Sequence, residues 1–176
     1  MSEKDLLLIT ELPGFTPQIG RVVSMMNHVR STTLSVVTGL GVSELDYLHD
    51  AQSNSIGALL LHIAATEVGY QAATFLARGL DEEEKKEWGA AVELGESARE
   101  EIRGRELDYY VERLERVRAK TLTELGQRDD QWLEEHTFLG RQRQVNNYFK
   151  WFHVLGHEIN HRGQICWLRT RATKPR

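Results

Sequence analysis

Cysteine is almost absent: Cys166 is the only one in 176 residues, so no intrachain disulfide framework is available. Within a helical apolar pattern such a thiol reads as a small core residue. Proline is nearly as scarce, at three residues, which leaves long stretches free to be helical and argues against an all-β architecture. There is no excess of positive charge; the formal net charge is −4. The one basic stretch, Arg113 to Lys120, is diluted by Glu112, Glu115 and Glu124. It reads as a solvated helix face, not as the basic footprint of a nucleic-acid binder. No apolar run is long enough to cross a bilayer, and Met1 to Phe15 lacks the basic-then-apolar order of a secretory leader. Internal repeats and low-complexity linkers are missing as well. These absences predict a single domain over residues 1–176, soluble and cytoplasmic, with no nucleic-acid or membrane partner.

What the sequence does contain is helical periodicity. Hydrophobic residues make up 40% and charged residues 27%, a balance suited to amphipathic helices. Four segments repeat apolar residues at three- and four-residue spacing. The first runs from Gln18 to Leu40, on Ile19, Val22, Val23, Met26, Val29 and Val37, with Pro17 in its first turn. The second runs from Ser55 to Arg78, on Ile56, Leu59, Leu60, Ile63, Glu67 and Tyr70, with His62 at the border of that side. The third runs from Arg105 to Gly126, on Leu107, Tyr110, Val111, Leu114, Val117, Thr121 and Leu125. The fourth runs from Val145 to Thr170. The connection from Leu80 to Gly104 has room for one short helix, Glu96 to Ile102, while Gln127 to Gln144 carries no clear pattern. An all-α bundle with one long crossover is the expected architecture.

The fourth segment carries the chemistry. His153, His157 and His161 are spaced by four and stack on one helix face. Two imidazoles at this spacing can share one ion, whereas the outer two of the three lie about 12 Å apart along the axis. At most one adjacent pair can therefore ligate. Projection at about 100° per residue puts Phe149, Phe152, Ile159 and Cys166 on one apolar arc. His157 and His161 fall beside Val154, Ile165 and Leu168. Trp151, Glu158, Arg162 and Arg169 share a mostly charged, outward arc, where Glu158 would pair with Arg162. His157 to His161 is formally H-E-x-x-H, the zinc-protease signature with Glu158 as general base. No His, Asp or Glu follows His161 to complete that ligand set. A di-iron carboxylate site would need a second Glu-x-x-His, and the sequence has none.

Three passages resemble the DinB-like superfamily, which includes YfiT-like metal-dependent hydrolases and related thiol-dependent transferases. They are Ser55 to Ile63 with Glu67 following, the run His153-x-x-x-His157-Glu158-x-x-His161-Arg162-Gly163-Gln164-Ile165, and, more weakly, Arg30 to Asp46. The resemblance implies a four-helix bundle with a long crossover, homodimers, and one divalent metal ion on His62, His157 and His161. It does not imply the translesion polymerase that shares the DinB name. His153 would be a neighbour of the site, as would Glu67 and Gln164.

Three imidazoles with an open coordination position are a catalytic arrangement, since structural zinc sites are closed by four protein ligands. Such a site could activate a water for hydrolysis or hold a low-molecular-weight thiol for transfer to a small-molecule substrate. Zinc is the first expectation for an imidazole site, with nickel or iron as alternatives. Arg162 and Arg169 are candidates to recognise an acidic thiol. The residues name no general base, so a non-catalytic, metal-stabilised dimeric binding module stands as the alternative. An ordinary bundle with structural histidines is the third reading.

Overall fold

Apolar residues at every third or fourth position build four long helices: α1 (Pro17–Val37), α3 (Ile56–Phe75), α6 (Leu107–Leu125) and α8 (Asn147–Ala172). A computed structural model describes residues 7–139 and 143–172. Shorter elements fill the connections. These are α2 (Val42–Leu45), α4 (Glu82–Glu93), α5 (Gly95–Glu101), α7 (Asp130–Glu134), and the strands β1 (His136–Leu139) and β2 (Arg143–Asn146). The protein is an all-α helical bundle in which α1 packs on α8, α8 on α3, and α3 on α6, while α6 also touches α1 and closes the ring.

Local chemistry sets the helix ends. Ser55 Oγ accepts the amide of Ala58 and starts α3. Asp81 and Glu84 form a reciprocal capping box on α4. The start of α1 is capped from a distance, because Asp130 on α7 accepts the amides of Gln18 and Ile19 and the hydroxyl of Thr16. That contact pins the early part of the α6–α8 connection to the beginning of the bundle. Helix α3 is apolar on nearly every side and is accordingly central, with α4 laid over it. Gly57 allows α3 to meet α6 closely; a Cβ there would lie 2.5 Å from the Tyr110 hydroxyl.

The connections hold more structure than expected. The stretch after α3 is mostly helical, as α4 and α5. The stretch from Gln127 to Gln144 contains α7 and an antiparallel pairing of His136 with Asn146 through Leu139 with Arg143. Gly140, expected within that connection, lies outside the described residues, as do the first six residues of the N-terminal stretch. Among the described residues no helix is long and apolar enough to cross a membrane.

Helix α8 is turned differently from its projected arcs. Phe149, Phe152 and Ile159 are exposed, Phe152 by 62%, and Cys166 is an exposed thiol and not a core residue. Trp151 and Glu158, expected outside, are buried, Glu158 to 2% exposure. Trp151, Val154, Leu155, Ile165 and Leu168 form the inward face. A carboxylate is tolerated there because α1 and α6 each bring an arginine to it.

A candidate metal centre beside a closed ion cluster

Each long helix contributes one charged residue to an ion cluster in the bundle interior: Arg30 from α1, Glu67 from α3, Arg118 from α6 and Glu158 from α8. Arg30 Nε donates to Glu158 Oε1 at 2.9 Å, and its Nη2 reaches Glu67 and Glu158 at 3.2 Å. Arg118 holds Glu67 in a two-pronged contact at 2.8 and 3.0 Å and also reaches Glu158. The remaining guanidinium nitrogens donate to the carbonyls of Leu114 and Met26. Thr121 donates to Glu67 at 2.6 Å. Burial raises the pKa of Glu67, but Arg118 and Arg30 outweigh it and hold the carboxyl below its usual range. The cluster is charge-balanced and closed.

This cluster overturns two expectations. Glu158 does not pair with Arg162; it is taken by Arg30 and Arg118 and is unavailable as the base of a zinc-protease motif. Glu67 likewise faces the arginines. Arg162 instead donates to Thr32 Oγ1, and Arg169 to the carbonyls of Val36 and Thr38, so both candidate anion readers are engaged with α1 and the turn after it.

On another side of the α3–α8 seam, His62, His157 and His161 come together, all half-buried, with one ring nitrogen from each within 4.8 Å of the others. His157 Nε2 lies 3.1 Å from His62 Nε2 and 3.1 Å from His161 Nε2. His62 Nδ1 sits 2.7 Å from the Ala91 carbonyl on α4, so Nδ1 carries the proton and Nε2 keeps a lone pair. His161 Nδ1 lies 3.1 Å from Gln164 Oε1, which selects the same tautomer. Gln164 is the neighbour that the resemblance implied, whereas Ala91 could not be read from spacing, because it acts through its backbone and comes from the crossover. His153 stands apart, with its ring 6.1 Å from that of His157 and 5.6 Å from that of Tyr70. Of the two adjacent pairs that the spacing allows, His157 and His161 are the one that meets His62.

The electrostatics suit a cation. Burial lowers the pKa of all three imidazoles. For His157 burial acts together with His161, His62 and His153 and takes the value down to about 3. Neutral rings offer lone pairs, and two lone pairs are already aimed at the third nitrogen. Nitrogens bound tetrahedrally at 2.0–2.1 Å from zinc stand about 3.3 Å apart, close to the 3.1 Å spacings here. Two of the three spacings and the donor chemistry thus fit one ion, and the remaining pair of nitrogens lies within 4.8 Å.

Two cavities flank the histidines. One, of about 550 Å³, is lined by Gln52, Asn54, Asn160, Trp167 and by Gln164, the residue that orients His161. The other, of about 390 Å³, is lined by Tyr70, Leu80, Phe138, Lys150 and by Thr66, whose hydroxyl is 3.4 Å from His157 Nε2.

Fold and site together define a helical bundle whose α3 and α8 bring three neutral imidazoles to one point between two grooves. The sequence profile of the DinB superfamily matches residues 25–165, a span that holds all three histidines. The chain belongs to the DinB superfamily. No curated protein matches the chain significantly.

Proposed function

We propose that the protein binds one divalent metal ion on His62, His157 and His161 and is a metal-dependent hydrolase or thiol S-transferase acting on small molecules. The observation that carries this is the convergence of three Nε2 atoms with two tautomers set from outside, by Ala91 and Gln164. Three lone pairs around one point repel unless a proton or a cation sits between them, and outer hydrogen bonds of this type are what orient imidazole ligands. Zinc is the first choice for such a donor set, with nickel or iron as alternatives. When bound, the ion supplies Lewis acidity to water or to a low-molecular-weight thiol.

The chain's own residues provide position and exclusion. Glu67 and Glu158 are held by arginines and do not take protons from substrate. Burial raises the pKa of Tyr70, so its hydroxyl stays protonated and is available as a donor at the groove wall. The two cavities are of small-molecule size, which favours the enzyme over a non-catalytic, metal-stabilised module. The exposed apolar edge of α8, with Phe149, Phe152, Ile159 and Trp167, supports pairing of two copies as a homodimer. A single thiol and no disulfide are consistent with a cytoplasmic setting.

The test is a screen of the metal-loaded protein for ester or amide hydrolysis and for thiol transfer to electrophiles. Activity that vanishes in His157→Ala and follows the metal supplied supports the proposal. A metal-loaded protein inert across both reaction classes leaves the binding module as the better account.

A further inference from the structure

The groove between Thr66 and Lys150 holds a charge that neither the bundle nor the histidine centre uses. Lys150 precedes His157 by seven residues, which is about 10.5 Å along α8 and nearly the same face. It is 3% exposed. Lysines are rarely buried so far without an anionic partner. Among the described residues its one hydrogen-bond acceptor is the neutral hydroxyl of Thr137 on β1. An ammonium group has three donors, so two are left over. Burial pulls its pKa below the usual lysine value. Arg30 and Arg118 are as deeply buried, but they share two carboxylates. Among the described residues Lys150 shares none, and it lines the cavity of about 390 Å³ whose walls include Ala65, Ala73, Leu80 and Val92.

We propose that this cavity is a subsite for an amphipathic carboxylate, with its anionic group paired to Lys150 and its apolar body along the wall toward Thr66 and the histidines. Placement of the far end of such a ligand at the histidines rests on the metal-centre reading above; the anion subsite does not.

The experiment is titration calorimetry of octanoate and of 1-octanol into the metal-loaded protein, His157→Ala and Lys150→Met. The His157→Ala chain removes the ion as a competing carboxylate partner and reads Lys150 alone. A charge-assisted hydrogen bond predicts octanoate binding about 10-fold or more tighter than octanol in both the parent and His157→Ala. Lys150→Met should erase that preference. The Lys150 ε-carbon resonance of the unmutated chain, which needs no variant to fold, should shift with octanoate and not with octanol. Equal binding of the two probes, a preference that survives Lys150→Met, or an unmoved resonance overturns the proposal. A chain that binds no ion yet prefers octanoate sinks the metal reading and keeps the subsite. A chain that binds an ion and shows no preference sinks the subsite alone.

Discussion

Glu67 and His62 leave α3 five residues apart, and Glu158 and His157 leave α8 side by side, yet one pair ends in a closed ion cluster and the other beside two grooves. The difference lies in what the other helices bring. Where α1 and α6 face the seam they supply Arg30 and Arg118, and two positive groups meet two negative ones with the guanidinium nitrogens engaged. Where α4 faces it, only the Ala91 carbonyl arrives. It orients an imidazole but brings no countercharge. One cluster is complete in its charges, and the other gathers neutral imidazoles with no countercharge beside them. The first uses one residue from each long helix, so it closes only when all four are in place.

The sharpest way to break this contrast is to remove one charge from the closed cluster without touching α3 or α8. Arg118→Met leaves Glu67 and Glu158 to a single arginine. Breaking a buried pair in this way costs about 3–5 kcal/mol. Urea denaturation should show a loss of that size, with metal content per folded chain unchanged. No loss of stability would mean that the carboxylates are solvated and the cluster is not closed. At the histidine centre, Gln164→Ala removes the acceptor that fixes the His161 tautomer. Metal affinity by competition with a chromophoric chelator should fall by about 10–100-fold, while the urea midpoint of the metal-free protein stays put.

Acid separates the two clusters more gently. Glu67 is held below its unfolded value, so its share of stability is present above the unfolded carboxylate pKa and is lost as pH falls through the depressed folded value. The metal-free protein should lose stability first below the ordinary imidazole pKa, because His62, His157 and His161 are held neutral when folded, and a further limb below the ordinary glutamate pKa should carry the Glu67 share, which Glu67→Gln should flatten. Melts across the acid range read this directly. A lower limb that survives Glu67→Gln unchanged would place that dependence elsewhere.

Much of this was legible beforehand. The four long helices followed from apolar spacing and matched their predicted bounds within about two to three residues, the usual uncertainty of helix ends. His62, His157 and His161 came from i, i+4 stacking and from the resemblance, and the fold brings the same three together. The rotation of α8 was not legible, because its exposed face is aromatic and its buried face contains Glu158. Periodicity ranks residues by hydropathy and cannot see a partner on another helix. Arg30 and Arg118 escaped for the same reason; Arg30 is a lone charge in an apolar stripe, and Arg118 belongs to the basic stretch Arg113 to Lys120 that read as a solvated face, although Arg118 itself is buried. The β1–β2 hairpin has four-residue strands rich in polar residues, too short for alternation to show. Lys150 became visible only once its burial was known.

Elemental mass spectrometry of protein purified without a metal-affinity tag, beside His157→Ala, tests the central claim most directly. The account predicts about one equivalent of divalent metal per chain in the parent and a clear loss in the variant, as expected for a three-imidazole site. No metal in the parent, even after incubation with zinc and with nickel, would contradict it and would leave the histidines as structural residues of the bundle.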